Sequence, residues 1–437
     1  MSRRLRAIIT SLLQWRRLLP CERRRYAFNL DFPIQVALPS LAIIENLQGD
    51  SHVKSNYSRI LRHCVGAILG AALFSAYLAT PALAQQSGGQ TTQSSDSKVL
   101  DFFRNTELSG FVDGYYGYNF NTPATRKAGP ERTFDVQHNS FSLNLAELSL
   151  EKKPTADSRG GFRLDLDYGP TQDIVNSSEP SGPHVFRNIG QAYLSYQADV
   201  GKGLQIDFGK FVTPLGFEVI KTKNNWNYSR SLLFTMAIPF YHMGVRATYN
   251  VNDKIALAGF VVNGWNNSVA TIDKKTVIGQ VIVKPTSALA VTETYIGGPQ
   301  VPNTTEWRDV SDTVATYNIT PKISLAGNYD YGQDKESGAK VRWQGVAGDA
   351  KFQANDWFAL APRWEYYDDE HGFTSGAAQK IKEFTITGEL KHKDGVIARL
   401  EYRHDYSDIP FFVKNTSTFK DHQDTFTVGL IYAFSTK

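Results

Sequence analysis

From Leu108 to Phe434 the chain repeats one pattern: about ten residues that alternate apolar and polar side chains, then a turn. Phe162-Arg163-Leu164-Asp165-Leu166-Asp167-Tyr168 is the clearest instance. Successive side chains of a strand point to opposite faces, so this stretch carries one apolar and one charged face. The pattern runs on without a helical interruption and begins shortly after what reads as a secretory signal. Together these features predict an all-β fold, a transmembrane antiparallel β-barrel of about sixteen strands within a range of about fourteen to eighteen. Its apolar side chains should face lipid and its charged ones an aqueous lumen.

The expected strands are 108–120, 141–150, 161–168, 191–200, 204–211, 242–250, 255–263, 275–284, 289–296, 310–319, 323–331, 342–352, 357–367, 383–391, 396–405 and 425–434. In the first, Leu108, Val112, Tyr116, Tyr118 and Phe120 share one face and Ser109, Asp113 and Asn119 the other. The second changes phase at Leu145-Ala146, the mark of a bulge. Segments 275–284 and 289–296 separate their faces poorly. Lys210 falls on the lipid parity, which is tolerable at a rim where its ammonium reaches water. Counted from a periplasmic start, odd-numbered links are long (121–139, 169–188, 212–241, 297–309, 368–382, 406–424) and even ones short (201–203, 251–253, 320–322, 354–356, 392–395). Long outer loops and tight periplasmic turns are the outer-membrane arrangement. Tyr116, Tyr118, Phe120, Trp364, Tyr366, Phe426, Tyr432 and Phe434 lie on the lipid parity, mainly near strand ends, as interfacial girdles require.

The leader changes the charge picture. Lys54, Arg59 and Arg62 precede an uncharged run at 64–79, and Ala82-Leu83-Ala84 before Gln85 is a cleavage site. Residues 53–84 therefore read as a signal peptide, and 85–106 as a flexible, Gln/Ser/Gly-rich periplasmic lead-in to a barrel at 107–437. Residues 1–52 are either a mis-called start, with Val53 the true first codon, or an extended leader. The whole chain is formally +4. Residues 1–84 hold 11 of the 47 Lys+Arg and 4 of the 43 Asp+Glu, so 36 against 39 remain and the mature charge is −3. The basic balance thus gives no pointer to nucleic acid. Cys21 and Cys64 both lie in the leader, which removes disulfides and thiolate metal sites. No apolar run after Ala84 is long enough for a spanning helix.

The closing stretch Phe426-Thr427-Val428-Gly429-Leu430-Ile431-Tyr432-Ala433-Phe434 resembles the C-terminal signal of outer-membrane proteins, although Ser435-Thr436-Lys437 follow it. Gly209-Lys210-Phe211-Val212-Thr213-Pro214-Leu215-Gly216-Phe217-Glu218 is more specific. With Asn227-Tyr228-Ser229-Arg230-Ser231, His242-Met243-Gly244-Val245-Arg246, Asn263-Gly264-Trp265 and Arg399-Leu400-Glu401-Tyr402-Arg403-His404-Asp405, it resembles the putative β-barrel porin-2 (OmpL-like) family over about residues 107–434. The resemblance implies an outer-membrane barrel and a porin, in the bacterial cell outer membrane. It transfers no catalytic residues.

As a porin the chain would be a passive diffusion channel for small hydrophilic solutes or ions, its partners the lipid bilayer and those solutes, with a homotrimer as one option. The alternatives are a structural or adhesive barrel without an open pore and, as the weakest, an outer-membrane enzyme. No Gly-x-Ser-x-Gly and no Ser/His/Asp grouping supports catalysis. No cofactor and no metal is expected. The sets Asp165/Asp167 and Asp368-Asp369-Glu370 lack a full Ca²⁺ ligand loop and read better as solvated acids. The candidate pore-lining residues are Arg163, Asp165, Asp167, Arg246, Arg363, Glu365, Glu389, Arg399, Glu401, Arg403 and Asp405. Glu218, Lys221, Lys223 and Arg230 in the longest link are candidates for a constriction loop, or for solvated salt bridges. Strand parity puts seven basic side chains in the lumen, adding Lys351 and Lys391 to five of those named. It puts eleven acids there, adding Asp113, Asp207, Asp312, Asp330 and Asp349. The sum, 7 − 11 = −4, leads to an expectation of weak cation preference.

Overall fold

The computed structural model describes residues 102–129, 131–179, 186–300, 306–336 and 338–437. The expectations for 1–52, 53–84 and most of 85–106 fall outside the described residues. Eighteen strands follow in order: β1 (Glu107–Asn119), β2 (Ser140–Lys152), β3 (Gly160–Tyr168), β4 (Ile189–Ala198), β5 (Leu204–Val212), β6 (Tyr241–Asn250), β7 (Ile255–Val262), β8 (Thr276–Val283), β9 (Leu289–Pro299), β10 (Trp307–Thr320), β11 (Ile323–Glu336), β12 (Ala339–Gln353), β13 (Phe358–Asp369), β14 (Gln379–Lys391), β15 (Val396–Ser407), β16 (Phe412–Lys414), β17 (Thr418–Lys420) and β18 (His422–Ser435). Sixteen of them close into one barrel, neighbours in sequence being neighbours in space, with β18 seated between β15 and β1. Closure matters physically because an open sheet edge would leave backbone N–H and C=O groups unpaired in lipid.

Alternation sorts the faces. In β15, Leu400 and Tyr402 are exposed while Arg399, Glu401 and Arg403 are buried; β18 exposes Phe426, Val428, Leu430 and Tyr432 and buries Thr425, Thr427 and Ile431. The register pairs like with like: Leu400 opposite Val428, Glu401 opposite Thr427. The bulge of β2 sits at Asn144, one residue before the phase change, since Asp113 faces Leu145 while Gly114 faces Leu143.

Four features depart from the sequence expectations. The link between β11 and β12 is at the long-loop end yet comprises only residues 337–338, because both strands run past the stretch where alternation is clean. The link after β3 contains a short helix, α1 (Pro170–Val175), with proline in its first turn, where a missing N–H costs nothing. The last long link carries the hairpin β16–β17, outside the barrel sheet. Lys210 does not reach water. It is buried, its ammonium donating to Asn176 Oδ1 at 2.9 Å and to the Ile189 carbonyl at 2.9 Å and lying 4.1 Å from the Tyr241 ring centroid, so the link after β3 folds over it.

Candidate functional site: a loop across the lumen

The link between β5 and β6, hereafter L3 (residues 213–240), does not stay at the rim. It leaves β5 by way of two glycines with positive φ, Gly209 at 144° and Gly216 at 86°, the second a left-handed turn that a side chain resists. Hydrogen bonds fix its inward course. Gly216 N donates to Asp312 Oδ2 at 3.1 Å on β10, and Phe217 N to Asn328 Oδ1 at 3.0 Å on β11. Ten residues on, L3 meets the opposite wall. Tyr228 N and Ser229 N donate to the two oxygens of Glu401 at 2.6 and 2.9 Å on β15, and Leu232 N donates to Glu365 at 2.8 Å on β13. β5 and β6 stand across the sixteen-strand ring from β13 and β14, so L3 spans the lumen.

Three arginines of that wall hold the loop. Arg399 donates to the carbonyls of Thr222 at 2.8 Å and Asn227 at 3.0 Å, and also to that of Asn225, while Glu389 pairs with it at 2.7 Å. Arg403 donates to the Arg230 carbonyl at 2.6 Å and pairs with Asp405 at 2.7 Å. Arg363 sits among three carboxylates, Glu218 of L3 at 2.7 Å, Glu383 at 3.0 Å and Glu365 at 3.1 Å. A planar guanidinium with five donors suits this work, because it can serve several acceptors at once. All three are fully buried.

On the near wall Lys221 pairs with Glu147 and Asp165, and Lys223 lies 3.6 Å from Glu147. Burial works against the Lys221 ammonium, but Asp165 and Glu147 outweigh it and hold its pKa above the ordinary lysine value. Tyr228 spans to β1, its hydroxyl donating to Asp113 at 2.8 Å, and its ring lies against Gly429, where an added Cβ would come within 2.2 Å of it. Among the described residues Arg230 makes no ion pair within 4 Å. It donates to the carbonyls of Val219 at 3.0 Å and Tyr228 at 2.6 Å and to that of Ile220, and burial lowers its pKa. It is a staple within the loop.

The second half of L3 is apolar. Leu232, Leu233, Phe234, Met236, Ala237 and Ile238, most of them in a π-helical turn (Leu233–Ala237), pack with inward residues of the wall: Phe211, Phe260, Val262, Ile278, Ile296, Val310, Trp343 and Tyr367. This is why 275–284 and 289–296 resisted a reading by faces: their inner side meets a greasy loop. The link after β1, L1 (residues 120–139), closes over the same layer. Arg132 donates to Thr425 at 2.9 Å, Thr133 to Thr235 of L3 at 2.6 Å, and Phe134 stacks edge-on with Phe234.

Most of the sequence-named residues therefore converge on these loops. Asp165, Glu365, Glu389, Glu401 and Asp405 are buried partners of loop groups or arginines, and Asp167 is buried beside Gly190. Arg163 and Arg246 lie nearer the short-turn end, against Asp165 at 3.0 Å and Asp207 at 2.6 Å. Of the acids read as solvated, Asp165, Asp167 and Asp369 are buried, whereas Glu370 is exposed and Asp368 half-exposed. Asp165 accepts from Ser149 at 2.5 Å and Gln191 at 2.7 Å, and Asp369 is buried, capping the Phe373, Thr374 and Ser375 amides. Strand parity cannot foresee a loop that seals them from water. Glu147, Glu383 and Asp113 join the site without having been singled out as loop anchors.

Comparison with known proteins agrees with this architecture. The family model described as "Putative beta-barrel porin-2, OmpL-like" matches residues 105–434. No curated protein matches the sequence. Among solved structures, the outer membrane channel DcaP of Acinetobacter baumannii superposes with a TM-score of 0.52 at 12% identity, over 75% of this chain and 97% of that one. An anion-selective porin from Comamonas acidovorans gives 0.52 and 12%, over 75% and 99%. The trimer form of OmpT, an outer membrane protein of Vibrio cholerae, gives 0.51 and 10%, over 75% and 99%. At such identities the likeness concerns the fold, a porin-type barrel. The family match spans nearly all of the barrel, and the chain belongs to the Putative beta-barrel porin-2, OmpL-like family: it is a porin.

Proposed function

We propose that this porin is a passive diffusion channel of the bacterial outer membrane, not an enzyme, whose solute path is defined by L3. The observation that carries the reading is the span of L3 from β5 and β6 to the buried arginines of β13 and β15. A loop so placed leaves solutes only the space it does not fill, and its many buried charge-assisted bonds hold that space to one shape. Arg163, Arg246 and the other inward charges act as its lining or, where buried, as supports of the lining. The short-turn end faces the periplasm. Planar-bilayer recording on the mature chain tests this. The expected result is discrete conductance steps, enlarged when residues 217–238 are replaced by a short Gly/Ser linker. A folded barrel that never conducts would favour a structural role instead.

The outward face carries a second, separable part of the reading: association with further copies, as a homotrimer. Glu293 of β9 is exposed on the lipid parity and accepts hydrogen bonds from Ser311 at 2.6 Å and from Thr313, its outward neighbours on β10. The outward row of β10 around them, Asp309, Ser311, Thr313 and Ala315, has no large apolar side chain. Lipid disfavours a carboxylate at this position, whereas a second copy can supply donors. Unheated electrophoresis should show a trimer that Glu293→Leu weakens; an unaltered oligomer would place the contact elsewhere.

A further inference from the structure

Charges on the inner wall divide by depth and by access to water. The acids are sealed: Asp165, Asp207, Glu147 and Glu389 are buried. Lys221 and Arg399, which pair with them on the L3 side, are buried too, but four other bases paired with Asp165, Asp207 and Glu389 are not. Side-chain exposure is 25% for Arg163, 22% for Arg246, 16% for Lys351 and 42% for Lys391, against 0%, 1%, 1% and 1% for the acids they hold. All four bases lie toward the short-turn ends of their strands: Arg163 near the start of β3, Arg246 toward the end of β6, Lys351 near the end of β12 and Lys391 at the end of β14. Lys223, on the L3 segment above them, is 19% exposed. Among the described residues two wall acids have comparable access, Glu151 at 20%, tied to Arg163 at 3.3 Å, and the half-buried Glu107 opposite it on β1, which accepts from Ser435 at 2.7 Å; the accessible bases outnumber them.

From this layering we infer that the vestibule below L3, open toward the short-turn end, is an anion-collecting chamber, and that the pore prefers small anions. The inference rests on the channel reading above. An acid at the back of the wall and a base in front of it form an oriented pair, and a mobile ion in the lumen meets the base first. The near charge dominates because water and salt screen the far one. Counting every inward charge equally gives −4, but that sum assigns full weight to carboxylates that no solute touches. Residues within reach of water give the opposite sign.

Glu389 makes the inference testable without unfolding the wall. It is held by Lys351 at 2.8 Å, Lys391 at 3.2 Å and Arg399 at 2.7 Å, so replacing both lysines still leaves it a buried arginine partner. The experiment is reversal potential in planar bilayers under a KCl gradient, for the mature wild type and for Lys351→Gln/Lys391→Gln, each checked for folding by heat-modifiable electrophoretic mobility. Expected for wild type is a chloride-to-potassium permeability ratio several-fold above one at about 0.1 M salt, where the Debye length is about 10 Å, falling toward one as salt rises. The double variant should lose most of that preference while its conductance steps persist. A wild type that conducts but favours potassium, or a double variant with unchanged selectivity, overturns the inference and leaves the channel reading intact. A folded wild type without conductance overturns the channel reading, and the inference with it.

Discussion

Two arcs of the inner wall do the same job with opposite chemistry. Along β13, β14 and β15 the inward row is charged: Arg363, Glu365, Glu383, Glu389, Arg399, Glu401 and Arg403. Along β7 to β10, toward the long-loop end, it is apolar: Phe260, Val262, Ile278, Ile296 and Val310. Both are buried by one loop. The stretch of L3 from Glu218 to Arg230 offers carbonyls, amides and a carboxylate to the charged arc, while Leu232 to Ile238 offers side chains to the apolar one. The inner wall therefore complements L3 segment by segment, and its composition reports the loop it binds rather than the water it encloses.

The largest effect should come from removing the cation at the centre of the charged arc. Arg363→Met would leave Glu218, Glu365 and Glu383 buried together without it, a loss on the order of 3–5 kcal/mol when one partner of a buried pair is deleted. Urea unfolding followed by electrophoretic mobility reads this directly. A shift within error would mean that Arg363 is not what stabilises these buried acids. On the apolar arc, Leu233→Ala removes a buried side chain whose Cδ2 lies where a Cβ at Gly345 would come within 2.6 Å. Core truncations of this kind cost about 2–5 kcal/mol, and a loop that can relax belongs at the lower end, about 2 kcal/mol. Equal losses at Arg363 and Leu233 would remove the distinction between the arcs.

The smallest effect is a pH dependence in L1. Burial pushes the Glu131 carboxyl up to about 7 from its ordinary 4.5, with Asp405 adding to the rise and Arg403 opposing it. A carboxyl raised in the folded state favours folding below its unfolded value, and the benefit is lost as pH climbs through the folded one. L1 should therefore seat best below about pH 4.5 and loosen between there and about pH 7. Amide hydrogen exchange across residues 120–139, corrected for intrinsic rates, should show protection falling over that window, and Glu131→Gln should flatten the change.

Much of the barrel was legible because its physical cause is local. Strand alternation in β3, β15 and β18 needs only period two and a solvent difference across the wall. The strand count followed from the turns between such stretches. Several of the failures share one physical source, L3. L3 carries no periodic signal, and β8 and β9 lost theirs because their inner side faces that loop's apolar turn. The same loop explains why Asp165, assigned to open water, is sealed, while Asp369 is sealed by the link that follows it. Yet the motifs that carried the family resemblance do mark L3: Gly209 near the end of β5 and Gly216 in the first turn of L3 lead into it, Asn227 to Ser231 form its far contact, and His242 closes its exit by binding Gly264 and Thr213 at 3.1 Å each. The crossing could not be read from them because the partners of the far contact lie more than a hundred residues away, as Asp113 and Glu401 do from Tyr228.

Gly429 offers the most direct test of the central claim that L3 lies across the lumen. It is on the inner face of β18, and a side chain there would strike the Tyr228 ring that holds the far end of L3 to β1. Gly348, where an added Cβ meets nothing within 4 Å, serves as the control. Single-channel conductance should rise and grow noisier in Gly429→Leu, as Tyr228 is displaced and the loop lifts, while Gly348→Leu conducts like the wild type. A Gly429→Leu channel indistinguishable from wild type would contradict the crossing.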